Sequence, residues 1–106
     1  MITIKNIFIS QPMKGRSAEG IKETRQKVIT ALHSAYGNNV KIFDTFFSGF
    51  FGNRLQFLGK SITEGLALAD IAVFVDDWEK YDGCRCEHFI ATQYGIKCIY
   101  YSTWTD

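Results

Sequence analysis

The sequence predicts a single-domain α/β protein in which helices cover both faces of one parallel β-sheet. Three observations support this prediction. The chain has 106 residues, enough for one hydrophobic core but not for two. Short runs of β-branched and aromatic residues alternate with segments whose apolar residues recur at helical spacing. The connections between these segments are short, as is typical where helices link parallel strands.

The first half of the chain contains two predicted strands and one helix. Residues 2–10 form a buried strand, and residues 10–16 form a polar loop after it. A helix begins at Ser17, a good N-cap by type, and ends at Gly37, a residue type common just past a helix. The residues that recur at helical spacing along it are Ile21, Arg25, Val28, Leu32 and Ala35. Arg25 is the one charged residue on this otherwise apolar stripe. Residues 40–43 form a short second strand.

The second half contains two predicted helices and two strands. Residues 44–54 form a loop dominated by Phe and Gly. The stripe of the helix after it consists of Leu55, Leu58, Ile62, Leu66 and Ala69. Residues 71–75 form the third strand, and a third helix runs from Cys84 to about Tyr94, with Gly95 as its stop. Residues 96–101 form the last strand.

The order of these strands locates a candidate ligand site. Right-handed crossovers restrict the topology, and the favoured order is 2-1-3-4, a trimmed flavodoxin-like or Rossmann-like three-layer sandwich. The order reverses between the first and third strands. Ligands of open α/β sheets bind beyond the carboxyl ends of strands at such a point. Residues 10–16 and 76–83, the two most polar loops of the chain, would flank this crevice.

Composition excludes several classes of protein. A formal net charge of +1 argues against a binder of nucleic-acid polymers, which normally carries a basic excess. No apolar run approaches the roughly 20 residues that span a bilayer, and the first five residues lack the apolar core of a signal peptide. Three cysteines, an odd number, favour a reducing compartment, and we expect a cytoplasmic protein. The pattern Cys84-x-Cys86-x-His88 matches no common zinc spacing, so we predict no metal.

The candidate catalytic residues follow the third strand. Glu87, predicted on the first turn of the third helix, would look into the crevice as a nucleophile, a base or a favourable charge at a helix N-terminus. Asp76 and Asp77 end the preceding strand. Either one of them steers a proton or holds a sugar hydroxyl, or both solvate the strand end and cap the turn. Trp78 either stacks on a base or sugar or packs as a lid over the core.

The loop after the first strand has groups that suit a phosphate or a sugar. The segment Ser10-Gln11-Pro12-Met13-Lys14-Gly15-Arg16 offers a hydroxyl, amides and two cations beside a helix N-terminus. It is not a Walker loop and lacks the G-x-G-x-x-G pattern.

Three segments together resemble the nucleoside 2-deoxyribosyltransferase-like superfamily. They are I-F-I-S-Q-P-M-K-G at residues 7–15, A-D-I-A-V-F-V-D-D-W-E at residues 69–79 and G-C-R-C-E-H-F-I-A-T-Q-Y-G-I-K at residues 83–97. The likeness is closest to a small bacterial and phage branch with an I-S-x-P-M-x-G start and a G-x-x-x-E motif. It covers most of the chain apart from about residues 44–60.

The resemblance implies N-glycosidic chemistry on a nucleoside or nucleotide without a cofactor. In that superfamily the Glu four residues after the Gly attacks C1′ of the sugar, and here this position is Glu87, after Gly83. Transferases and hydrolases of the superfamily also carry an Asp eight residues before the Asp of the A-D motif, where this chain has Ile62 beside Ser61. A transferase, a hydrolase and a non-catalytic nucleotide-binding module therefore all remain open. Substrate contacts are expected from the two loops and the start of the third helix, at Ser10, Gln11, Met13, Lys14, Gly15, Trp78, Gly83 and Cys84.

The Phe-rich segment 46–57 has two interpretations. It roofs a nucleobase pocket, or it forms an interface between copies of the chain, because so many Phe side chains rarely stay exposed on a monomer. We favour a homo-oligomer, and members of the superfamily are typically oligomers.

Overall fold

The computed structural model describes residues 4–43 and 51–102 and confirms the predicted fold class. Within these residues the elements follow one another as β1 (Asn6–Ser10), α1 (Ala18–Tyr36), β2 (Lys41–Ile42), α2 (Arg54–Glu64), β3 (Ile71–Phe74), α3 (Asp82–Gln93) and β4 (Lys97–Tyr100). Short 3₁₀ turns occupy Leu66–Leu68 and Trp78–Lys80. The four strands are parallel and lie in the order β2-β1-β3-β4, as the sequence predicts.

The sheet separates two apolar layers. On one face Ile7 and Ile9 of β1 pack with Val28 and Leu32 of α1. On the other face Phe8 lies among apolar residues from β3, α3 and the turn after α2, namely Leu66, Ala72, Phe74 and Ala91. Because successive side chains of a strand point to opposite faces, β1 contributes to both layers.

β1 begins later than predicted, at Asn6 rather than residue 2, and residues 1–3 lie outside the described residues. The carboxylate of Asp70 accepts hydrogen bonds from the backbone N–H groups of Lys5 and Asn6, each at 2.9 Å. These bonds hold the pKa of Asp70 below its ordinary value. The Asp of the A-D motif therefore joins the start of β3 to the start of β1.

α1 carries a buried arginine on its apolar stripe. Ser17 caps this helix by accepting from the N–H of Gly20 at 3.0 Å, and Gly37 follows its last residue, as predicted. The guanidinium of Arg25 donates to the backbone carbonyl of Phe43, just past β2. Arg25 therefore connects α1 to the end of β2 through a hydrogen bond.

α2 differs from the prediction at its C-terminal end, which lies at Glu64 rather than near Ala69. Its start is fixed by a capping box, in which Asn53 and Gln56 each accept from the backbone N–H of the other at 2.8 Å. Its end is set by Gly65, which leaves the helical conformation and leads into the 3₁₀ turn. A Cβ on Gly65 would lie 2.9 Å from the Phe8 ring and 2.9 Å from the Ser61 carbonyl oxygen. Only glycine lets the end of α2 approach β1 this closely.

α3 begins two residues earlier than predicted, at Asp82. Tyr81 is extended, and its carbonyl accepts from the N–H of Arg85 at 3.0 Å, which places the helix boundary there. Asp82 lies at the positive end of the helix and pairs with Arg54 at 3.5 Å and with Arg85. Among the described residues, no helix is long and apolar enough to cross a membrane.

The contact at Gly65 predicts a stability difference between two glycines of the α2 region. We expect Gly65→Ala to destabilise the fold by about 1–3 kcal/mol, because the added methyl group overlaps the buried Phe8 ring. The free energy of unfolding, measured by urea titration, checks this. Gly59→Ala is the matched control, because no atom lies within 4 Å of its added Cβ and alanine favours a helix. Equal stability of the two variants would contradict the prediction.

Candidate active site

Glu87 lies on the second turn of α3, not on the first as predicted, because the helix begins at Asp82. Its side chain contacts Ser10, the last residue of β1, at the carboxyl edge of the sheet. Only 7% of Glu87 is exposed. The carboxylate is thus withdrawn from water at the point where the strand order reverses.

Two serine hydroxyls hold the Glu87 carboxylate. Ser10 Oγ donates to Oε1 at 2.7 Å, and Ser61 Oγ donates to Oε2 at 2.7 Å. Both serines are buried. Each carboxylate oxygen therefore has its own short O–H donor, an arrangement that stabilises the ionised form.

Burial and hydrogen bonding act in opposite directions on the pKa of Glu87. Removal from water disfavours the charge and is the larger effect, so the pKa lies above its ordinary value. The hydrogen bonds from Ser10 and Ser61 lower the pKa and offset part of that rise. A carboxyl pKa raised by burial is common at functional sites.

Cys84 lies one turn before Glu87 on α3 and is also buried. Burial raises its pKa to about 11, the nearby Glu87 charge acts in the same direction, and a hydrogen bond with Ser10 lowers it. Its thiol is therefore neutral at physiological pH and is not an activated nucleophile. It shares Ser10 with the carboxylate and completes a buried polar cluster at this edge.

Ser61 is the residue of this cluster that the sequence analysis did not select. The resemblance pointed to the neighbouring Ile62, whose side chain instead packs in the core beside Phe8. Ser61 lies three residues after Leu58 on α2, so it borders the inward stripe. The sequence could have indicated Ser61 only as a small polar residue that borders an apolar stripe. That position does not identify Glu87 as its hydrogen-bond partner.

The loop between β1 and α1 (residues 11–17) contributes less to the cluster than predicted. Gln11 is buried, and its amide nitrogen donates to the carbonyl of Ile21 in α1 at 2.8 Å. Alternation along β1 explains this, because Ser10 faces α3 and Gln11 faces α1. Met13 is half-buried, its carbonyl accepts from Arg16, and Lys14 is exposed. Gly15 has a φ of +78°, a conformation that favours glycine.

Asp76 and Asp77 are both exposed, outside the buried cluster. Asp77 adopts a left-handed conformation, with a φ of 73°, at the start of the 3₁₀ turn. Its carboxylate lies 3.4 Å from Arg16 and 3.4 Å from Lys80. Arg16 also lies over the Tyr81 ring, 5.4 Å from its centroid. Asp77 therefore joins the two loops that flank the crevice and does not contact Glu87.

Trp78 is half-buried in an aromatic cluster, which favours the lid interpretation. Its ring lies 4.2 Å from that of His88 and 5.3 Å from that of Phe74, measured between centroids. His88 in turn pairs with the Tyr100 hydroxyl, with 2.7 Å between His88 Nε2 and Tyr100 Oη. Consecutive residues of α3 thus contact the ends of two strands, Glu87 at β1 and His88 at β4.

Gly83 is half-buried, and an added Cβ would lie 4.0 Å from a methyl group of Leu58, so α2 and α3 are close there. Of the Phe-rich segment 46–57, residues 46–50 lie outside the described residues. Phe51 is fully exposed and Phe57 is half-buried.

In the described part of the chain, no cluster of three or more His, Cys, Asp or Glu residues is placed to hold a metal ion.

Two surface grooves lie away from Glu87. One, of about 520 Å³, follows α1 and is lined by Glu23, Gln26, Lys27 and Thr30. The other, of about 420 Å³, follows the outer face of α3 and is lined by Asp82, Arg85, Cys86, Phe89 and Ile90. Both are shallow and lack a buried polar group, so we place the candidate site at Glu87.

Comparison with known proteins adds no assignment. No protein-family model, no curated protein and no solved structure matches the chain.

The buried charge predicts that Glu87→Gln stabilises the folded protein near neutral pH. A folded-state pKa above the unfolded value means that folding is favoured most when the group is protonated, and this contribution is lost as pH rises through the folded pKa. The neutral amide avoids that loss. We expect Glu87→Gln to have the higher melting temperature at pH 7, and the difference to shrink on acidification. Calorimetry at several pH values measures this, and a lower melting temperature at pH 7 would contradict it.

The three thiols are free and differ in burial. We expect iodoacetamide at pH 8 to modify Cys86 at least about tenfold faster than Cys84, because Cys86 is exposed and Cys84 is buried with a pKa of about 11. Peptide mass spectrometry gives the two rates. In Cys86→Ser the rate at Cys84 should be unchanged, and fast alkylation of Cys84 in the folded protein would contradict its burial.

Proposed function

We propose that the protein cleaves or transfers the N-glycosidic bond of a nucleoside or nucleotide, with Glu87 as the nucleophile. The observation that carries the proposal is a carboxylate, 7% exposed, held by two hydroxyls at the carboxyl edge of the sheet. Its pKa, raised by burial, marks it as a functional candidate. The motif resemblance to the nucleoside 2-deoxyribosyltransferase-like superfamily supports the same residue.

The chemistry requires two steps at one carbon. A carboxylate oxygen of Glu87 forms a bond to C1′ of the sugar while the C1′–N bond breaks, and the bonding electron pair leaves with the base, which takes up a proton. The product is a glycosyl ester on Glu87. Water or a second base then attacks C1′ and releases the carboxylate, which gives hydrolysis or transfer respectively.

A non-catalytic nucleotide-binding module is the second candidate, and the environment of Asp76 and Asp77 favours it. Both carboxylates are exposed, and Asp77 is engaged by Arg16 and Lys80. Among the described residues, Ser10 and Ser61 rather than these aspartates hydrogen-bond to Glu87, and Ile62 has no acidic proton for a departing base. Under this alternative the crevice binds a nucleotide and releases no base.

Two further expectations belong to the proposal. We expect self-association, because Phe51 and Leu55 near the start of α2 are exposed apolar side chains. Three thiols that form no disulfide favour a reducing compartment such as the cytoplasm.

The test is release of free base from a mixture of deoxynucleosides and their 5′-monophosphates, followed by chromatography. We expect base release by the wild-type protein and a loss of about 10³-fold or more in Glu87→Ala, since removing a nucleophile abolishes the covalent route. A glycosyl adduct on the peptide that contains Glu87, detected by mass spectrometry after rapid quenching, identifies the intermediate.

Glu64→Gln is the matched control, because Glu64 is an exposed carboxylate at the end of α2. It should retain wild-type turnover. Base release by Glu87→Ala at the wild-type rate would exclude the proposed nucleophile. Micromolar binding of a nucleotide with no product after long incubation would favour the binding module.

A further inference from the structure

We propose that Ser61 is a positioning residue, whose hydroxyl stabilises the ionised form of Glu87 and fixes the orientation of its carboxylate. This inference rests on the proposed function of Glu87. It assigns to α2 a part of the site that the motifs of β1 and α3 do not include.

The direction of the Ser61 hydroxyl is the first argument. Serine and threonine within helices commonly donate to the carbonyl one turn earlier, as Thr63 does to Gly59 at 2.9 Å. Ser61 instead donates to Glu87 Oε2 at 2.7 Å, across 26 positions of sequence. A hydroxyl has one hydrogen, so this donor is committed to the carboxylate.

Burial is the second argument. Ser61 is 3% exposed and Glu87 is 7% exposed, so the hydroxyl replaces water as the donor to Oε2. Ser10 donates to the other carboxylate oxygen, Oε1, and also interacts with the Cys84 thiol. Loss of the Ser61 hydroxyl would leave Oε2 buried without that donor, and the protonated carboxyl would then be favoured.

The hydrogen bond of Ser61 indicates how it acts. Its side chain reaches Glu87 from α2 and donates its one hydrogen to Oε2, so in the proposed reaction it acts through the carboxylate rather than by touching a ligand. A residue of this kind changes the fraction of enzyme that carries the ionised nucleophile. We therefore expect an effect on kcat and on its pH dependence, with KM close to that of the wild type.

The experiment compares the pH profile of kcat for base release in wild type, Ser61→Ala and Ser61→Cys. We expect the acidic limb to move upward by about one pH unit in Ser61→Ala, with kcat about tenfold lower on that limb and KM within about twofold. Ser61→Cys keeps a weaker donor of similar size and should shift less. It carries the same test if Ser61→Ala does not fold. Thr63→Ala, which removes a helix hydroxyl bonded to its own backbone, should leave the limb in place.

A second readout does not depend on turnover. Titration of ¹³C-labelled glutamate carboxyls by NMR, with Glu87 assigned from its absence in Glu87→Gln, should show the same upward shift in Ser61→Ala. An active wild type whose acidic limb and Glu87 titration are both unchanged by Ser61→Ala would overturn the inference. If the wild type releases no base, the proposed function fails, and an NMR shift in Ser61→Ala still supports control of Glu87 by Ser61.

Discussion

A carboxylate inside a protein must be given donors that replace water, and this requirement joins three elements of the fold at Glu87. The acid comes from α3, one donor is Ser10 at the end of β1, and the other is Ser61 on α2. Each donor depends on packing elsewhere. Ser10 is placed by the pairing of β1 with β3, and Ser61 by the close approach of α2 to Phe8 that Gly65 permits. The helices around the site are therefore positioned by the core and also by the hydrogen bonds of one charged group.

The alternation of side chains along β1 determines which polar groups reach this carboxylate. Ser10 and its partners across the sheet, Phe74 and Tyr100, form one row on the face that α3 covers. Glu87 and His88 contact the two ends of that row. The residue that follows β1, Gln11, lies on the opposite face and donates to the Ile21 carbonyl of α1 instead. A shift of one residue in the register of β1 would exchange these roles, which is why the strand order and register matter more to the site than the polarity of the loop after β1.

The sequence was sufficient for the features that depend on periodicity and chain direction. Strand order, the faces of the helices and the place of Glu87 near the carboxyl edge all follow from alternating apolar patterns and right-handed crossovers. The sequence was insufficient for features that depend on a contact between distant parts of the chain. The early end of α2 depends on Gly65 meeting Phe8, and the partnership of Ser61 with Glu87 depends on the resulting placement of that helix. Motif spacing directed attention to Ile62, although the hydroxyl one residue earlier is the group that faces the acid.

The burial of Glu87 also constrains how any substrate reaches it. With 7% of the residue exposed, the proposed reaction requires the groups that cover Glu87 to move before a sugar carbon contacts a carboxylate oxygen. The loops after β1 and β3 lie at this edge of the sheet. These loops are joined by Arg16, which pairs with Asp77 at 3.4 Å and lies over Tyr81. An exposed ion pair contributes only about 0–1 kcal/mol, so this connection opens at little cost. The hydrogen bonds of Ser10 and Ser61 to Glu87 involve none of these residues. The connection between the loops and the hydrogen bonds of Glu87 therefore depend on separate contacts, the first at the surface and the second in the interior.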